Sequence, residues 1–204
     1  MKLGEIKAAA MRLMHVDRQI HAENVDELAY DENYSDLYNA MPDAINRCLA
    51  DLEGRRFLPL GRAPLSVSER SGKGRRFYYD EITDLFEIDR LVVDSGSYYD
   101  DNHPFSYEEE GVIRVDEFDG FAVYGVLYHK KIPRITSASG PDTEISLPDA
   151  LAIAIPYYVK GDVFVIDEPG EAGEARNFYE AAVAQYADGL RVRQQGSVHT
   201  VYGC

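Results

Sequence analysis

Residues 112–116, Val-Ile-Arg-Val-Asp, decide the fold class of the middle of this chain. Val112, Arg114 and Asp116 alternate with Ile113 and Val115, which is the two-residue period of a β-strand. Polar, Gly or Pro residues separate this stretch from its neighbours, and that spacing predicts a small antiparallel β-sandwich or barrel. Five other short segments rich in Val, Ile, Phe and Tyr belong to the same region, at 77–82, 86–93, 97–99, 121–128 and 132–136.

Helical periods precede this β region. Apolar residues at three- and four-residue intervals predict one amphipathic helix over 3–20 and a second over 37–52, which ends at Gly54. Proline suits the first turn of a helix and damages its interior, so the second helix is predicted to begin near Pro42 or to kink there.

Helical periods also follow the β region. Residues 147–159 predict a nearly all-apolar helix that is kinked at Pro156. A last helix is predicted to begin near Pro169 and to end at Gly189. Each helical pair has an apolar stripe that the other pair can cover.

The predicted fold class is therefore α+β, with a helical bundle formed by the N- and C-terminal helices and an inserted small antiparallel β-sandwich or barrel domain. The predicted domains are the N-terminal helices at 1–54, the β domain with a basic loop at its start at 55–140, the C-terminal helices at 141–189, and an extended C-terminal arm at 190–204.

The charge of the chain is organised along the sequence. Its 204 residues include 21 Lys and Arg against 36 Asp and Glu, a net charge of −15, yet 54–76 is strongly basic and 77–120 strongly acidic. The negative excess argues against a surface that grips nucleic acid, because phosphate neutralisation needs clustered cations. The basic residues lie among Gly, Pro and Ser, which predicts an exposed loop with five candidate interaction residues: Arg62, Arg70, Lys73, Arg75 and Arg76.

The sequence predicts no catalytic residue, no cofactor and no metal site. The five histidines show no ligand spacing, the carboxylate clusters lack the order of a calcium loop, and no phosphate-binding glycine motif occurs. Two cysteines are too few for a disulfide framework. The longest apolar run is too short to span a membrane.

The last residues of the chain alternate in polarity like a strand. They predict a strand, a local hairpin or a frayed terminus. The interaction candidates in this arm are Leu190, Val192, Val198, Val201 and Tyr202.

Several short strings, together with the order helices, β region, helices, resemble a known family. The resemblance is to head-to-tail connector proteins of tailed bacteriophages, nearest to the adaptors of phage and prophage structural modules and more distantly to the tail tubular protein A type. The strings are MKLGEIKAAAMRLM at 1–14, AINRCL at 44–49 with LE at 52–53, RFLP at 56–59, LPDAL at 147–151, IPYYVKGD at 155–162 and EARN at 174–177.

This resemblance implies a virion structural protein of the head-tail neck, assembled in the host cytoplasm, and not an enzyme. It implies a homo-oligomeric ring, typically a dodecamer, that docks under the portal protein and meets tail or nozzle proteins. Double-stranded DNA would pass through the lumen without specific binding, which acidic walls favour because they repel phosphate. The basic loop would contact the acidic segment of an adjacent subunit, or lie free in solvent. The C-terminal arm would add a strand to a neighbouring subunit or insert into the portal.

Two alternatives remain open from the sequence. A head-completion stopper or tail-terminator protein would share the neck partners at a different level of the particle. A carbohydrate-binding or carbohydrate-active β module would use aromatic side chains near carboxylates, and its candidate platform is Tyr98, Tyr99, Tyr107 and Tyr128.

Overall fold

The computed structural model describes residues 1–14, 19–71, 74–116, 122–136 and 138–196, with side chains undescribed at 66–71, 74 and 191–196. Helices and two antiparallel sheets make up the described chain, which confirms the α+β class. The chain divides into two compact units. Met1–Phe57 together with the chain from Ile132 onward forms the helical unit, and Leu58–Lys131 forms the β unit.

Five α-helices and one short 3₁₀ helix, Val25–Tyr30, are found in the described part of the helical unit. In chain order the α-helices are α1 Leu3–Leu13, α2 Ser35–Gly54, α3 Asp149–Ala152, α4 Ile155–Val163 and α5 Pro169–Gly196.

Helix α1 is shorter than the sequence predicted. At its start the Glu5 carboxylate accepts a hydrogen bond of 2.8 Å from the backbone amide of Lys2, which satisfies a donor that the first turn leaves unpaired. Beyond Leu13 the prediction of helix to residue 20 is wrong at Gln19 and Ile20, and residues 15–18 lie outside the described part. Ile20 is nonetheless buried.

Helix α2 passes through Pro42 instead of beginning there. Proline has no amide hydrogen, so the helix loses one internal hydrogen bond, which would run back to the carbonyl of Tyr38. Met41, Ile45 and Leu49 are fully buried on either side of the proline. Their burial offsets the lost bond, and the helix begins seven residues earlier, at Ser35.

The predicted helix over 147–159 is two helices. Pro156 lies in the first turn of α4, where its fixed φ angle and missing amide hydrogen cost nothing, so the predicted kink is instead a helix start.

Helix α5 begins at Pro169 as predicted but continues past Gly189 to Gly196, and the prediction of an extended arm is wrong for residues 190–196. Leu, Arg and Gln are good helix formers there, and one interior glycine costs only about 1 kcal/mol. Residues 197–204 lie outside the described part.

Helix α4 lies at the centre of the helical unit. It packs against α1 and α2 from the N-terminal part of the chain and against α5 from the C-terminal part. Helices from both ends of the chain thus share one core, whose fully buried side chains include Leu3, Ile6, Met11, Met41, Ile45, Leu49, Leu52, Leu151, Ile155 and Val159.

The β unit contains two four-stranded antiparallel sheets with the orders β1-β8-β4-β5 and β2-β3-β7-β6. Neither closes into a barrel within the described ranges. The strands are β1 Leu60–Pro64, β2 Ser66–Ser71, β3 Gly74–Tyr78, β4 Leu85–Asp94, β5 Tyr99–His103, β6 Ser106–Glu109, β7 Val112–Val115 and β8 Val123–Lys130.

Strand β7 coincides with the stretch that predicted it. The prediction of a basic loop is wrong over 60–71 and 74–76, since this segment forms β1, β2 and most of β3. Residues 132–136 form no strand, contrary to prediction. In the basic segment, the local preference of Gly, Pro and Ser for a loop is overridden by backbone pairing between β2 and β3, in which Arg70 lies opposite Arg75.

Both sheets contribute to a single buried core. Phe77 and Ile113 are opposite each other on β3 and β7, and the Phe77 ring lies 4.9 Å from the ring of Tyr124 on β8. A side chain at Gly61 would place its Cβ 2.5 Å from the Tyr128 ring, so β1 approaches β8 closely only because this residue is glycine. The core consists of Leu65, Phe77, Ile88, Leu91, Val93, Ile113, Val115, Tyr124, Val126 and Tyr128.

Candidate interaction site

The three predicted basic residues whose side chains are described lie on strands of two different sheets. Arg62 is exposed on β1, while Arg75 and Arg76 lie on β3 and are half-buried. The Arg76 guanidinium donates two hydrogen bonds, of 2.6 and 2.7 Å, to the Glu108 carboxylate on β6. That bond lowers the pKa of Glu108, and it joins the basic and acidic segments within one chain. The Arg70 side chain and the whole of Lys73 lie outside the described part.

Two of the five predicted C-terminal candidates lie in the described part of the chain, both in α5. Leu190 lies in α5 and, with Tyr186 and Ala150, lines a cavity of about 290 Å³. Val192 is in the same helix, and its side chain is not described. Val198, Val201 and Tyr202 lie outside the described residues.

The four tyrosines of the proposed carbohydrate platform are not brought together. Tyr98 and Tyr99 are exposed at β5 of one sheet, whereas Tyr107 is exposed on β6 of the other. Tyr128 is buried in the core, and its hydroxyl donates a 2.8 Å hydrogen bond to Asp84. One flat aromatic surface across these residues is therefore ruled out.

A different surface stands out, which we call the acidic elbow and define as residues 19–36. It connects α1 to α2 and carries the 3₁₀ helix. Its sequence contains six carboxylates and no Lys or Arg: Glu23, Asp26, Glu27, Asp31, Glu32 and Asp36. No interaction surface was predicted for this stretch. The absence of Lys and Arg from these 18 residues, beside six carboxylates, already indicates an acidic surface in the sequence.

One buried lysine anchors the elbow. Lys7 belongs to α1 and its side chain is only 6% exposed; its ammonium group lies 3.1 Å from the Asp26 carboxylate and 2.7 Å from the Tyr38 hydroxyl. Tyr38 in turn donates a 2.5 Å hydrogen bond to Asp26. Lys7 lies four residues after Leu3 and three before Ala10, both buried, so its place on the apolar stripe of α1 was visible in the sequence.

The protonation states of this cluster follow from its hydrogen bonds. Burial followed by the bond to Asp26 raises the pKa of Tyr38, so the phenol keeps its proton. Partial burial opposes ionisation of Asp26, but hydrogen bonds from Tyr38 and Lys7 outweigh that effect and lower its pKa. The cluster is thus a Lys⁺–Asp⁻ pair bridged by a neutral tyrosine, which holds the elbow to α1 and α2.

Two cavities flank Tyr30, whose side chain is 91% exposed. The first, of about 490 Å³, is lined by elbow residues including Glu27, Asp31 and Tyr34. The second, of about 420 Å³, has Lys7, Asp26 and Tyr38 in its wall. Within the described chain Glu23, Glu27 and Glu32 have no ion-pair partner. Carboxylates and tyrosine faces at the first cavity suit a cationic side chain.

A second charged cluster is structural. Arg55 donates two 2.7 Å hydrogen bonds to Glu180, and the Tyr179 hydroxyl donates one of 2.6 Å to Asp51, so α2 and α5 are cross-linked twice. Burial raises the pKa of the nearby Cys48 thiol to about 12, which keeps it protonated and a poor nucleophile.

Neither a metal site nor a membrane-spanning helix is found among the described residues. In those ranges no group of three or more His, Cys, Asp or Glu side chains could hold a metal ion. None of the helices found there combines the length and apolar composition that crossing a membrane requires. In comparisons with known proteins, the chain matches no family model and no curated protein.

Proposed function

We propose that this protein is a head-to-tail adaptor of a tailed bacteriophage, a virion structural protein that forms a ring below the portal. The observation that carries the proposal is the packing of α1, α2 and α5 around α4, with the intervening Leu58–Lys131 folded as its own unit. This arrangement agrees with the order of elements and the strings that resemble the connector family.

The finer architecture that we propose is a helical bundle with an inserted β-sandwich. The mixed origin of the helical core supports the bundle, because no helix at one end of the chain could bury its apolar stripe alone. The shared core of the two sheets, with Phe77 from one and Leu91 and Val126 from the other, supports the sandwich.

In the proposed particle the ring has the portal protein on one side and tail or nozzle proteins on the other. A dodecamer is the expected stoichiometry, and the protein acts by position and not by chemistry. Exposed aromatic and apolar side chains are available for such contacts on both units, among them Tyr30, Ile166 and Phe178 on the helical unit and Leu60 on the β unit.

The test of this function is binding to the portal protein encoded in the same genome. Purified protein is mixed with portal rings, and the mixture is analysed by light scattering after size exclusion and by electron microscopy. We expect a second ring stacked coaxially on the portal. A protein that leaves the portal rings unchanged in mass and image would contradict the adaptor role, and an unrelated ring protein is the control.

We also expect DNA to pass this protein without being held. The net charge is −15, and most described Lys and Arg side chains are paired with carboxylates, so few cations remain to replace the counterions of a duplex. Fluorescence anisotropy with a labelled duplex at physiological salt should show no binding tighter than about 100 µM. Saturable binding well below that concentration would show that the acidic surface does not repel the duplex.

A further inference from the structure

Two exposed cations of the β unit have no partner among the described residues. Among the described Lys and Arg side chains, those of Arg62 and Lys131 have neither a side-chain hydrogen bond nor an ion pair. Arg62 lies on β1, the edge strand of its sheet, where it is exposed and opposite Leu127. Two residues earlier on the same face, Leu60 is 64% exposed.

The acidic elbow offers the complementary surface. Its first cavity has two carboxylates, Glu27 and Asp31, and two aromatic rings, Tyr30 and Tyr34. Among the described residues the Asp31 carboxylate accepts a hydrogen bond from the backbone amide of Asn33 and has no ion pair, and the exposed Glu27 has no ion pair either. A guanidinium between two carboxylates and against a tyrosine face gains charge-assisted hydrogen bonds and a cation–π contact at once.

We propose that a second copy of this chain docks on the acidic elbow through its β1 edge, with the Arg62 guanidinium entering the cavity beside Tyr30 and pairing with Glu27 and Asp31. Leu60 of the docking copy then covers the exposed Tyr30 ring. This inference rests on the proposed ring, and it assigns the surfaces that join its subunits.

The contact is heterologous, because one copy uses its β unit and the other its helical unit. Such an interface leaves the acidic elbow of one copy and the β1 edge of the other unoccupied. Further copies can therefore add until the ring closes. Arg62 is favoured over Lys131 because a planar guanidinium pairs with carboxylates and stacks on tyrosine better than an ammonium group does.

The experiment measures self-association by sedimentation velocity over a range of protein concentrations, without portal or DNA. We expect the wild type to associate, and Arg62→Glu and Glu27→Arg each to weaken association at least tenfold. An equimolar mixture of these two variants should associate again, since each supplies the opposite charge that the other now needs. Matched controls are Lys131→Glu and Glu168→Arg, which change exposed charges outside the proposed contact and should associate like the wild type.

Circular dichroism of each variant checks that it is folded. A wild type that stays monomeric at every concentration, reversals that associate like the controls, or a mixture no better than its components would each overturn the proposed contact. These outcomes are separate from the adaptor test: a protein that binds portal rings but ignores the Arg62 and Glu27 reversals refutes only the assigned surfaces.

Discussion

Replacing Phe77 with Ala is expected to destabilise the β unit by about 4 kcal/mol, the usual cost of emptying a large aromatic site in a tightly packed core. Phe77 is fully buried, faces Ile113 across the β3–β7 pair and packs on the Tyr124 ring of the other sheet. Truncation therefore removes contacts from both sheets at once, and the surrounding strands cannot close the gap without losing their register.

Hydrogen exchange of the β-unit amides is the appropriate measurement, because a chain with two units does not necessarily unfold in one step. The neighbouring Tyr78→Ala is the matched control: Tyr78 lies on the same strand but is 39% exposed, so we expect a cost below about 1 kcal/mol. Equal effects of the two substitutions would mean that the two sheets do not share the core described above.

Replacing Asp26 with Ala is expected to cost the helical unit about 3 kcal/mol, because it leaves the buried Lys7 ammonium without its counter-charge. The value is at the lower end for a broken buried pair, since Tyr38 still accepts a hydrogen bond from Lys7. The reverse change, Lys7→Met, should cost only about 1 kcal/mol, since Asp26 is 43% exposed and water can solvate it. Both changes in stability can be measured by chemical denaturation, with hydrogen exchange of the α1 and α2 amides as the readout.

The stabilisation by Asp26 should depend on pH in one direction. Its pKa is lowered in the folded state, so the difference in stability between wild type and Asp26→Ala is complete above about pH 4, the ordinary range of an Asp. It is lost as the pH falls through the lowered pKa. The neighbouring Glu27→Ala, whose side chain is exposed, should leave stability within about 0.5 kcal/mol at every pH. A pH-independent cost of Asp26→Ala would argue against the ion pair.

The sequence pattern predicted correctly those helices and strands in which local conformational preference and burial favour the same structure. Strand β7 and the start of α5 are examples, because burial and local preference agree there. The prediction of a loop for the basic segment was wrong because local preference and tertiary pairing disagree there. Gly, Pro and Ser favour a loop locally, whereas β3 forms backbone hydrogen bonds with β2 on one side and β7 on the other. The predicted end of α5 was wrong because an interior glycine such as Gly189 costs a helix too little free energy to terminate it.

The acidic elbow could be predicted only in part. The sequence shows its negative charge and places Lys7 on the apolar stripe of a predicted helix. The meeting of Lys7, Asp26 and Tyr38 was not, since the three residues come from α1, the 3₁₀ helix and α2 and are joined only by tertiary packing. The position of Arg62 on the edge strand β1 likewise could not be predicted, because its segment was assigned to a loop.

The separation of α1 and α2 from α4 along the chain affects how the protein is made. The β unit is continuous in sequence and can fold as soon as residue 131 has left the ribosome. The two N-terminal helices emerge first, yet their apolar stripes stay uncovered until α4 is synthesised about a hundred residues later. During that interval we expect the nascent chain to depend on chaperone shielding, which a fold with the same helices placed side by side would not need.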